Sequence, residues 1–393
     1  MARKQRRIGR RFAMTKLTNQ VLYIGTQDID DLGSAIDSLI NEGAKSILLF
    51  LTEASASETE LLDEYLKALP VPVIGGLFPQ IIHGVNHYDH GALICGISFA
   101  LDVKVFPELS TKINDCEATL TQITAWLNEH QSFLVLVDGL SANIDPFIEM
   151  LYDKLGPSKT VAGGGAGSLS LMQQPCLLSN QGVLIDAALL VAWPSKISIG
   201  VSHGWQKVAG PFLATSTQGN EIHTLDYRPA FELYKDIIES QTSKRFDEEG
   251  FFSIAKTFPF GMERLDQEIL IRDPIATDNG TLICVGRVPE NTLVYLMKGS
   301  PEALTESAGK ATQLVVDDLA EKDHLAMDCV LFDCISRVLF LENRFEEELE
   351  CVVEKLPPNT EVVGALTLGE IASSPWGGLQ FLNKTTVVCG FSE

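Results

Sequence analysis

The sequence predicts an α/β fold of two tightly associated domains, with mixed sheets built from β-α-β crossovers plus an antiparallel meander. Three observations support this class. Predicted strands are continuous apolar runs in which apolar and polar residues do not alternate. A strand–helix–strand unit occurs three times, and short strands joined by turns follow Gly163. Continuous apolar strands are typical of parallel sheets that are covered on both faces.

The three units share one pattern, in which an apolar strand leads through a helix to a second strand that breaks at glycine. They run from 47–50 to 73–76, from 134–137 to 161–164 and from 330–333 to 362–365. Each connection is long enough for a crossover helix. If the crossovers share one hand, their glycine loops open at corresponding sheet edges, where α/β proteins bind ligands.

The remaining elements divide the chain into a basic tail (1–18), a first α/β domain (19–209) and a second α/β domain (210–393). The first domain is predicted to hold a strand at 21–25, helices at 31–41 and 115–129, a capping box at 57–60, a strand at 92–99 and a meander of 177–178, 182–193 and 197–202. The second is predicted to hold helices at 226–239 and 301–321 and strands at 268–275, 281–286, 292–297 and 385–389.

Charge argues against nucleic acid as a main partner. The net charge is −22, although the first 18 residues carry seven basic groups and no acid. An acidic body repels phosphate backbones. The basic head is predicted to be a disordered tail or the result of an upstream start, with Met14 as the alternative to Met1; a role at a membrane surface or nucleic acid is the other interpretation.

Hydropathy and cysteine usage indicate a cytoplasmic protein without a membrane span. No secretory signal follows the basic head, and the longest apolar run, 187–193, is far shorter than a bilayer-spanning helix. The eight cysteines are scattered, with no Cys-x-x-Cys. They are typical of buried thiols in a reducing compartment.

Two stretches have the residue types of an anion site and of a metal site. Gly163, Gly164 and Gly165 open a glycine run whose amides could cradle an anion, although close packing against a neighbouring strand explains the same glycines. His83, His87 and His90 have metal-like spacing. Glycines around these histidines favour a turn, so a solvated loop is the alternative to a metal site.

Two further pairs of residues could line a ligand site. Arg337 and Glu370 end adjacent predicted strands and together suit a zwitterion such as an amino acid, but they could equally pair with each other. His203 and Trp205 could line a pocket or plug a domain junction. No Gly-x-Ser-x-Gly, His-Glu-x-x-His or zinc spacing occurs. Whether the protein is an enzyme is therefore uncertain, and a binding role is favoured.

A series of motifs then forms a recognisable set. These are His203-Gly204-Trp205, Gly219-Asn220-Glu221-Ile222, Arg272-Asp273-Pro274, Cys334-x-x-Arg337, Gly364-x-x-Thr367-x-Gly369-Glu370-Ile371, Asn383-x-Thr385 and the run at Gly163. Together they resemble the FIST N and FIST C signatures over about residues 30 to 393. One departure is Gln80, which is predicted to stand where the early FIST loop has an acid.

The resemblance implies a sensory module of signal transduction that binds a small ligand such as an amino acid. It implies ligand-binding roles for Arg337, Glu370, Thr367, Gly369, Asn383, Gly163, Gly164, Gly165, His203 and Trp205. Because no kinase or cyclase region is visible, a partner such as a histidine kinase would carry the signal. Some relatives bind haem and sense nitric oxide, for which His83, His87 and His203 are the candidate axial ligands here.

Overall fold

The computed structural model describes residues 20–26, 28–53, 59–263, 269–321, 328–374 and 378–391. These residues form three α/β repeats of the same design and an antiparallel barrel inserted into the third repeat. The predicted basic tail, 1–18, and the first two residues of the predicted capping box, Ser57 and Glu58, lie outside the described residues.

All three repeats follow the order strand, helical segment, strand, helical segment and four strands, and a helical segment holds one or two helices. The first comprises β1 (Gln20–Ile24), α1 (Ile29–Asn41), β2 (Ser46–Thr52), α2 (Thr59–Ala68), β3 (Val73–Phe78), β4 (Gln80–His83), β5 (Asn86–Tyr88) and β6 (Ala92–Ile97). The second comprises β7 (Asp102–Pro107), α3 (Ile113–Gln122), α4 (Thr124–Glu129), β8 (Ser132–Asp138), α5 (Ile144–Leu155), β9 (Thr160–Ala166), β10 (Leu177–Ser179), β11 (Gly182–Leu184) and β12 (Ala187–Trp193).

The third repeat begins with β13 (Ile197–Ser202) and is interrupted by the barrel. The barrel comprises β14 (Gln206–Gln218), β15 (Glu221–Leu225), β16 (Arg228–Pro229), α6 (Ala230–Gln241), α7 (Phe246–Glu249), α8 (Phe251–Ala255), β17 (Phe260–Met262), β18 (Leu270–Asp278), β19 (Thr281–Val285) and β20 (Leu293–Lys298). The repeat then continues with α9 (Pro301–Ala320), β21 (Asp328–Cys334), α10 (Ile335–Leu341), α11 (Phe345–Lys355), β22 (Glu361–Thr367), β23 (Glu370–Ser373), β24 (Leu379–Leu382) and β25 (Thr386–Phe391).

Each repeat builds a sheet and sends a hairpin into the sheet of another repeat. The three sheets have the orders β1-β6-β2-β3-β10-β11, β7-β12-β8-β9-β23-β24 and β13-β25-β21-β22-β4-β5. The hairpin β4–β5 therefore joins the third sheet, β10–β11 joins the first, and β23–β24 joins the second. This cyclic exchange interlocks the three repeats.

The three predicted crossovers are confirmed, because β2–β3, β8–β9 and β21–β22 are parallel pairs. A glycine lies at the same register in the first two: a Cβ on Gly75 would lie 1.8 Å from the Leu49 carbonyl oxygen, and one on Gly163 would lie 1.7 Å from that of Val135. Gly364 repeats this contact with Leu331 at 2.3 Å. Close approach of the strand backbones thus explains the glycine shared by the three copies.

The inner faces of the three sheets pack against one another, and each outer face is covered by the helices of its own repeat. The central cluster joins Phe50 from the first sheet, Leu134 from the second and Phe332 from the third. Separate clusters place α1 and α2, α3 to α5, and α9 to α11 on the outer faces. Burial on both faces explains the absence of alternation in the strand sequences.

The inserted strands form the antiparallel sheet β14-β20-β17-β18-β19-β15-β16, and the additional β14–β15 pairing closes six of them into a barrel. The predicted class, α/β with mixed sheets and an antiparallel sheet, is confirmed. The meander expected at 177–202 is corrected, since β10, β12 and β13 pair with strands of three different sheets. The helix expected at 115–129 is divided into α3 and α4. Within the described residues, no helix is long and apolar enough to cross a membrane.

Candidate functional site

Arg337 lies in a buried ion cluster made of Asp333, Arg337, Glu348 and Glu370. Its Nε and Nη2 donate to the two carboxylate oxygens of Glu348 at 2.8 and 2.6 Å. Nη1 donates to the carbonyl of His203 at 2.8 Å, and Nη2 donates to that of Leu304 at 2.9 Å. We correct the expected partner of Arg337 accordingly: the guanidinium holds Glu348, not Glu370.

The position of α10 explains this correction. The helix turns Arg337 beneath the end of β21, toward α9 and α11, so the side chain is fully buried. Glu348 is supplied by α11, also fully buried. A two-point guanidinium–carboxylate contact satisfies charges that would be costly to bury alone. The arrangement gives Arg337 a structural role beside the strand ends.

Glu370 starts β23 and is also fully buried. Thr367 Oγ1 donates to its Oε1 at 2.8 Å, and the Thr385 amide donates to its Oε2 at 3.2 Å. Burial raises the pKa of Glu370 to about 8, although hydrogen bonds from Thr367, Cys334 and Thr385 act in the opposite direction. At neutral pH the side chain is therefore largely protonated.

A cavity of about 300 Å³ lies at the strand ends of the second and third repeats, against one side of the barrel. We name it the junction cavity. Its lining is mainly apolar with a few polar side chains, as in many small-molecule sites. It is formed by Gly139, Leu140, Leu169, Leu171, Phe252, Asp273, Ile275, Val285, Cys334, Ile335, Ser336, Leu339, Leu368, Gly369 and Asn383. Of the sequence-predicted residues, Gly369 and Asn383 belong to this lining.

Two polar side chains of the junction cavity are incompletely bonded. Asp273 is 1% exposed and accepts from Ser336 Oγ at 2.7 Å and Lys384 Nζ at 3.0 Å, both at Oδ2. Asn383 is 1% exposed and donates to the Leu382 carbonyl at 2.8 Å. Within the described chain, Asp273 Oδ1 and Asn383 Oδ1 have no hydrogen-bond partner. Buried oxygens of this kind are rare, because an unmade hydrogen bond costs free energy.

Lys384 connects the junction cavity to the buried ion cluster. Its ammonium pairs with Asp273 and donates to the Lys256 carbonyl at 3.0 Å. Its own carbonyl accepts from Trp205 Nε1 at 3.1 Å and from Arg337 Nη1 at 3.3 Å. The backbone of Lys384 is left-handed, with φ 52°. This strained conformation directs one residue into both regions.

The glycine run is packed against neighbouring chain. A Cβ on Gly164 would lie 2.6 Å from Thr367 Cγ2, and one on Gly165 would lie 2.7 Å from the Leu368 carbonyl oxygen. With Gly163 set against β8, all three positions follow the close-packing alternative. They bring β9 close enough to support Leu368 and Gly369 at the edge of the junction cavity.

His203 and Trp205 lie behind the cavity, where the third repeat meets the barrel. Both are buried, and Nδ1 of His203 accepts from the Trp205 amide at 2.9 Å. Burial and the charge of Arg337 lower the pKa of His203 to about 4, so the imidazole is neutral at pH 7. These contacts match the alternative in which the pair closes a domain junction.

The three histidines with metal-like spacing point to different partners. His83 Nε2 lies 2.8 Å from Glu361 Oε1, His87 Nδ1 lies 2.7 Å from Gln80 Oε1, and His90 Nδ1 lies 2.9 Å from Asp89 Oδ1. Among the residues that the structure describes, no three His, Cys, Asp or Glu side chains are grouped as metal ligands. The β4–β5 hairpin thus separates what the sequence spacing suggested as a cluster.

Sequence reasoning missed the role of Asp273 and misplaced the equivalent of Glu370. An acid inside the apolar strand 269–275 is the signal that could have identified Asp273. In the third repeat's hairpin, Glu370 pairs with Gly164, the residue after the shared glycine of β9. In the first repeat's hairpin, Ile81 pairs with Ala365, the residue after the shared glycine of β22. Ile81, and not Gln80, therefore takes the place of the acid in the first repeat.

Comparison with known families agrees with the motif resemblance. The FIST N domain matches residues 45–228, and the FIST C domain matches residues 230–373. No curated protein matches the chain. The two matches together cover most of the sequence, and the junction cavity takes its lining from both of them.

Proposed function

Because the chain belongs to the family of proteins with FIST N and FIST C domains, we propose that it is a small-ligand-binding sensory protein and that its ligand occupies the junction cavity. FIST domains are associated with sensory roles in signal transduction. The observation that carries the proposal is a mainly apolar cavity of about 300 Å³ where the barrel meets the repeats, with the buried polar residues Asp273 and Asn383 in its lining.

The position of the junction cavity supports a sensory role. Asp273, Ile275 and Val285 belong to the barrel, whereas Leu140 and Ile335 belong to the repeats. A ligand between them contacts both parts and favours the arrangement in which both contacts are made. A change in how the barrel sits on the repeats is then the signal offered to a partner, such as a histidine kinase.

The predicted ligand, an amino acid or similar small metabolite, fits the cavity volume but not the predicted role of Arg337. The Arg337 guanidinium is committed to Glu348 and backbone carbonyls. We therefore assign ligand contacts to Asp273, Asn383 and Gly369 and supporting contacts to Thr367 and Glu370. The eight cysteines are free thiols, which supports a cytoplasmic location.

Native mass spectrometry of the protein as isolated tests the proposal together with a variant that fills the cavity. Leu140→Trp adds a large side chain to the lining, and Leu61→Trp places the same side chain on the exposed face of α2, where Leu61 is 52% exposed. We expect a retained small molecule, or thermal stabilisation by a metabolite, in the wild type and in Leu61→Trp but not in Leu140→Trp.

Three other outcomes would contradict the proposal. A ligand that binds Leu140→Trp as well as the wild type would lie elsewhere. A retained porphyrin with Soret absorbance that is lost on replacing His83, His87 or His203 would favour the haem-sensing alternative. A protein that retains nothing and responds to no metabolite would refute ligand sensing in this cavity.

A further inference from the structure

The wall of the junction cavity offers almost no charge to a guest. Among the described residues that line it, Asp273 is the single charged one, and it is 1% exposed. Its Oδ2 is already paired with Lys384 Nζ at 3.0 Å. Asn383 is also 1% exposed, so a guest can touch either side chain only over a small area. A charged group that enters the cavity therefore loses its water without gaining an ionic partner, which is costly.

The cations of the adjacent buried region do not supply that partner. The side chains of Arg337 and Lys384 are fully buried. Arg337 Nη2 donates to Glu348 at 2.6 Å, and Lys384 Nζ donates to the Lys256 carbonyl at 3.0 Å in addition to its pairing with Asp273. The carboxylate of a free amino acid would thus remain without a counter-ion in this cavity.

Much of the accessible lining is hydrocarbon. Leu140, Ile275, Val285 and Leu339 line the cavity and are partly exposed. Covering aliphatic surface of this kind is favourable in proportion to the area removed from water. A volume of about 300 Å³ lies at the small end of ligand sites. The cavity therefore suits a compact apolar molecule.

The opening of the cavity is bordered by apolar side chains as well. Three lining residues, Leu169, Leu171 and Phe252, are 41%, 50% and 36% exposed. Large apolar side chains that are exposed singly are ordinary, but a group of them beside a cavity is typical of a binding site. A hydrocarbon guest would cover this group.

The two leucines at the opening belong to the loop between β9 and β10, and hydrogen bonds fix the loop there. The Leu169 amide donates to Glu53 Oε2 at 3.0 Å, and the Leu171 amide donates to the Ser168 carbonyl at 3.1 Å. Leu171 has φ 54°, a conformation that leucine rarely adopts. The loop thus keeps an apolar side chain at the opening despite backbone strain, which is common at binding sites.

We propose that the ligand of the junction cavity is a neutral, mostly hydrocarbon molecule, whose alkyl chain carries at most one uncharged polar group such as a hydroxyl. The chain packs against the aliphatic lining, and Leu169 and Leu171 cover it at the opening. The inference rests on the proposed function and narrows it, because it excludes free amino acids as the preferred ligands.

Calorimetric titration of the whole chain with four six-carbon compounds at pH 7 tests the exclusion of charge. The compounds are 1-hexanol, hexylamine, hexanoate and norleucine, which carry no charge, a positive charge, a negative charge and both charges. We expect 1-hexanol to bind about tenfold or more tightly than each of the other three, because it has no ionic group to desolvate.

A second titration series measures the hydrocarbon contact. The affinity of the alcohols from 1-butanol to 1-heptanol should rise about fourfold with each added CH₂ group until the chain fills the cavity. A guest held mainly by a polar group would show little dependence on chain length.

Three variants place the alcohol in the junction cavity. Leu171→Ser removes an apolar side chain from the opening and should weaken 1-hexanol by about threefold or more. Met172→Ser is the matched control, because Met172 is the next residue of the same loop, is 61% exposed and is not among the lining residues. Its affinity for 1-hexanol should equal that of the wild type, whereas Leu140→Trp should abolish binding.

The inference is overturned if a charged compound binds as tightly as 1-hexanol, if affinity does not rise with chain length, if no alcohol binds, or if Leu171→Ser binds 1-hexanol like Met172→Ser does. These failures are distinct from failure of the proposed function. A charged ligand that Leu140→Trp excludes would refute the neutral class and leave the cavity as the sensing site.

Discussion

The buried ion cluster and the junction cavity are neighbouring polar regions that differ in how much space they enclose. In the cluster, Arg337 is fully buried and bonds to Glu348 and to two carbonyls at 2.9 Å or less. The cavity leaves about 300 Å³ beside Asp273 and Asn383. Unbonded oxygens do not separate the two regions, because Asp333 Oδ2 in the cluster lacks a hydrogen-bond partner among the described residues, as do Asp273 Oδ1 and Asn383 Oδ1. The cluster therefore has the close packing of a scaffold, whereas the cavity has room for the ligand that we propose.

The largest expected effect comes from breaking the cluster. Arg337→Met leaves the buried Glu348 without its cation and removes one donor from the carbonyls of His203, Leu304 and Lys384. It should lower the free energy of unfolding by about 3–5 kcal/mol. Arg344→Met is the matched control, because Arg344 makes comparable carboxylate contacts at 38% side-chain exposure. Arg344→Met should lower the free energy of unfolding by much less than Arg337→Met does. Urea unfolding measures both.

The contrast between the two regions would fail if Arg337→Met unfolded like the wild type and only lost ligand binding. That result would show that Arg337 contacts the ligand and that Glu348 positions the guanidinium for it.

The second effect concerns Gly369, which lies between the two regions. Its φ is +98°, and a Cβ there would lie 2.4 Å from the Phe381 ring. Gly369→Ala should cost about 2–4 kcal/mol of stability, from backbone strain together with overpacking. Gly43→Ala measures the backbone strain alone, because Gly43 has φ +104° and a Cβ there would have no neighbouring atom within 4 Å among the described residues. Thermal unfolding of the two variants should show the larger loss at Gly369; equal losses would mean that the Phe381 ring moves freely.

The third effect is a pH dependence that Glu370 imposes on the cluster. Burial raises the pKa of Glu370 from 4.5 to about 8, so the folded state holds a proton that the unfolded state releases in this window. Stability should therefore fall as pH rises from about 4.5 to 8, by at most about 1.4 kcal/mol per pH unit from this group. Glu370→Gln should flatten the curve, as measured by chemical unfolding at several pH values.

The exposed Glu149 supplies the control for this measurement. Glu149→Gln should leave the slope as in the wild type. A wild-type curve that rises through this window and is unchanged by Glu370→Gln would show that Glu370 is ionised in the fold.

The smallest effect sharpens the description of the cavity. Ser336→Ala removes the hydrogen bond to Asp273 Oδ2 but leaves Lys384 in place. We expect a loss of about 1 kcal/mol in the free energy of unfolding. Because the Lys384–Asp273 ion pair and the other lining residues are untouched, binding of a cavity ligand should persist in calorimetry. Loss of binding with unchanged stability would show that Ser336 itself contacts the ligand.

The parallel crossovers could be predicted because they depend on local patterns. Val73 to Gly76 and its counterparts carry the apolar run and the glycine that a close strand pair needs. The exchange of hairpins could not be predicted in this way, since β10 reads equally well as the next strand of a meander and as a partner of β3. Strand sequence specifies a buried face but not which sheet supplies the neighbour.

The candidate site was predicted only in part for a similar reason. Gly369 and Asn383 were found from motifs and do line the junction cavity. The adjacent strand ends predict that Arg337 bonds to Glu370 or to a ligand, but Glu348 on α11 binds its guanidinium instead. Which carboxylate an arginine reaches depends on helix packing, and no spacing along the chain encodes that choice.

The strand orders of the first and third sheets have a consequence for the order in which the molecule can be assembled. β13, at residues 197–202, has β25 as its sheet neighbour, and β25 is also the partner of β21. During synthesis, the segment that ends the first half must wait for residues 386–391 before its sheet exists, while β10 can reach β3 at once. The sheet that contains β3 and β10 can therefore be complete before the chain leaves the ribosome. The sheet that contains β13 and β25 can form only after the last strand has been synthesised.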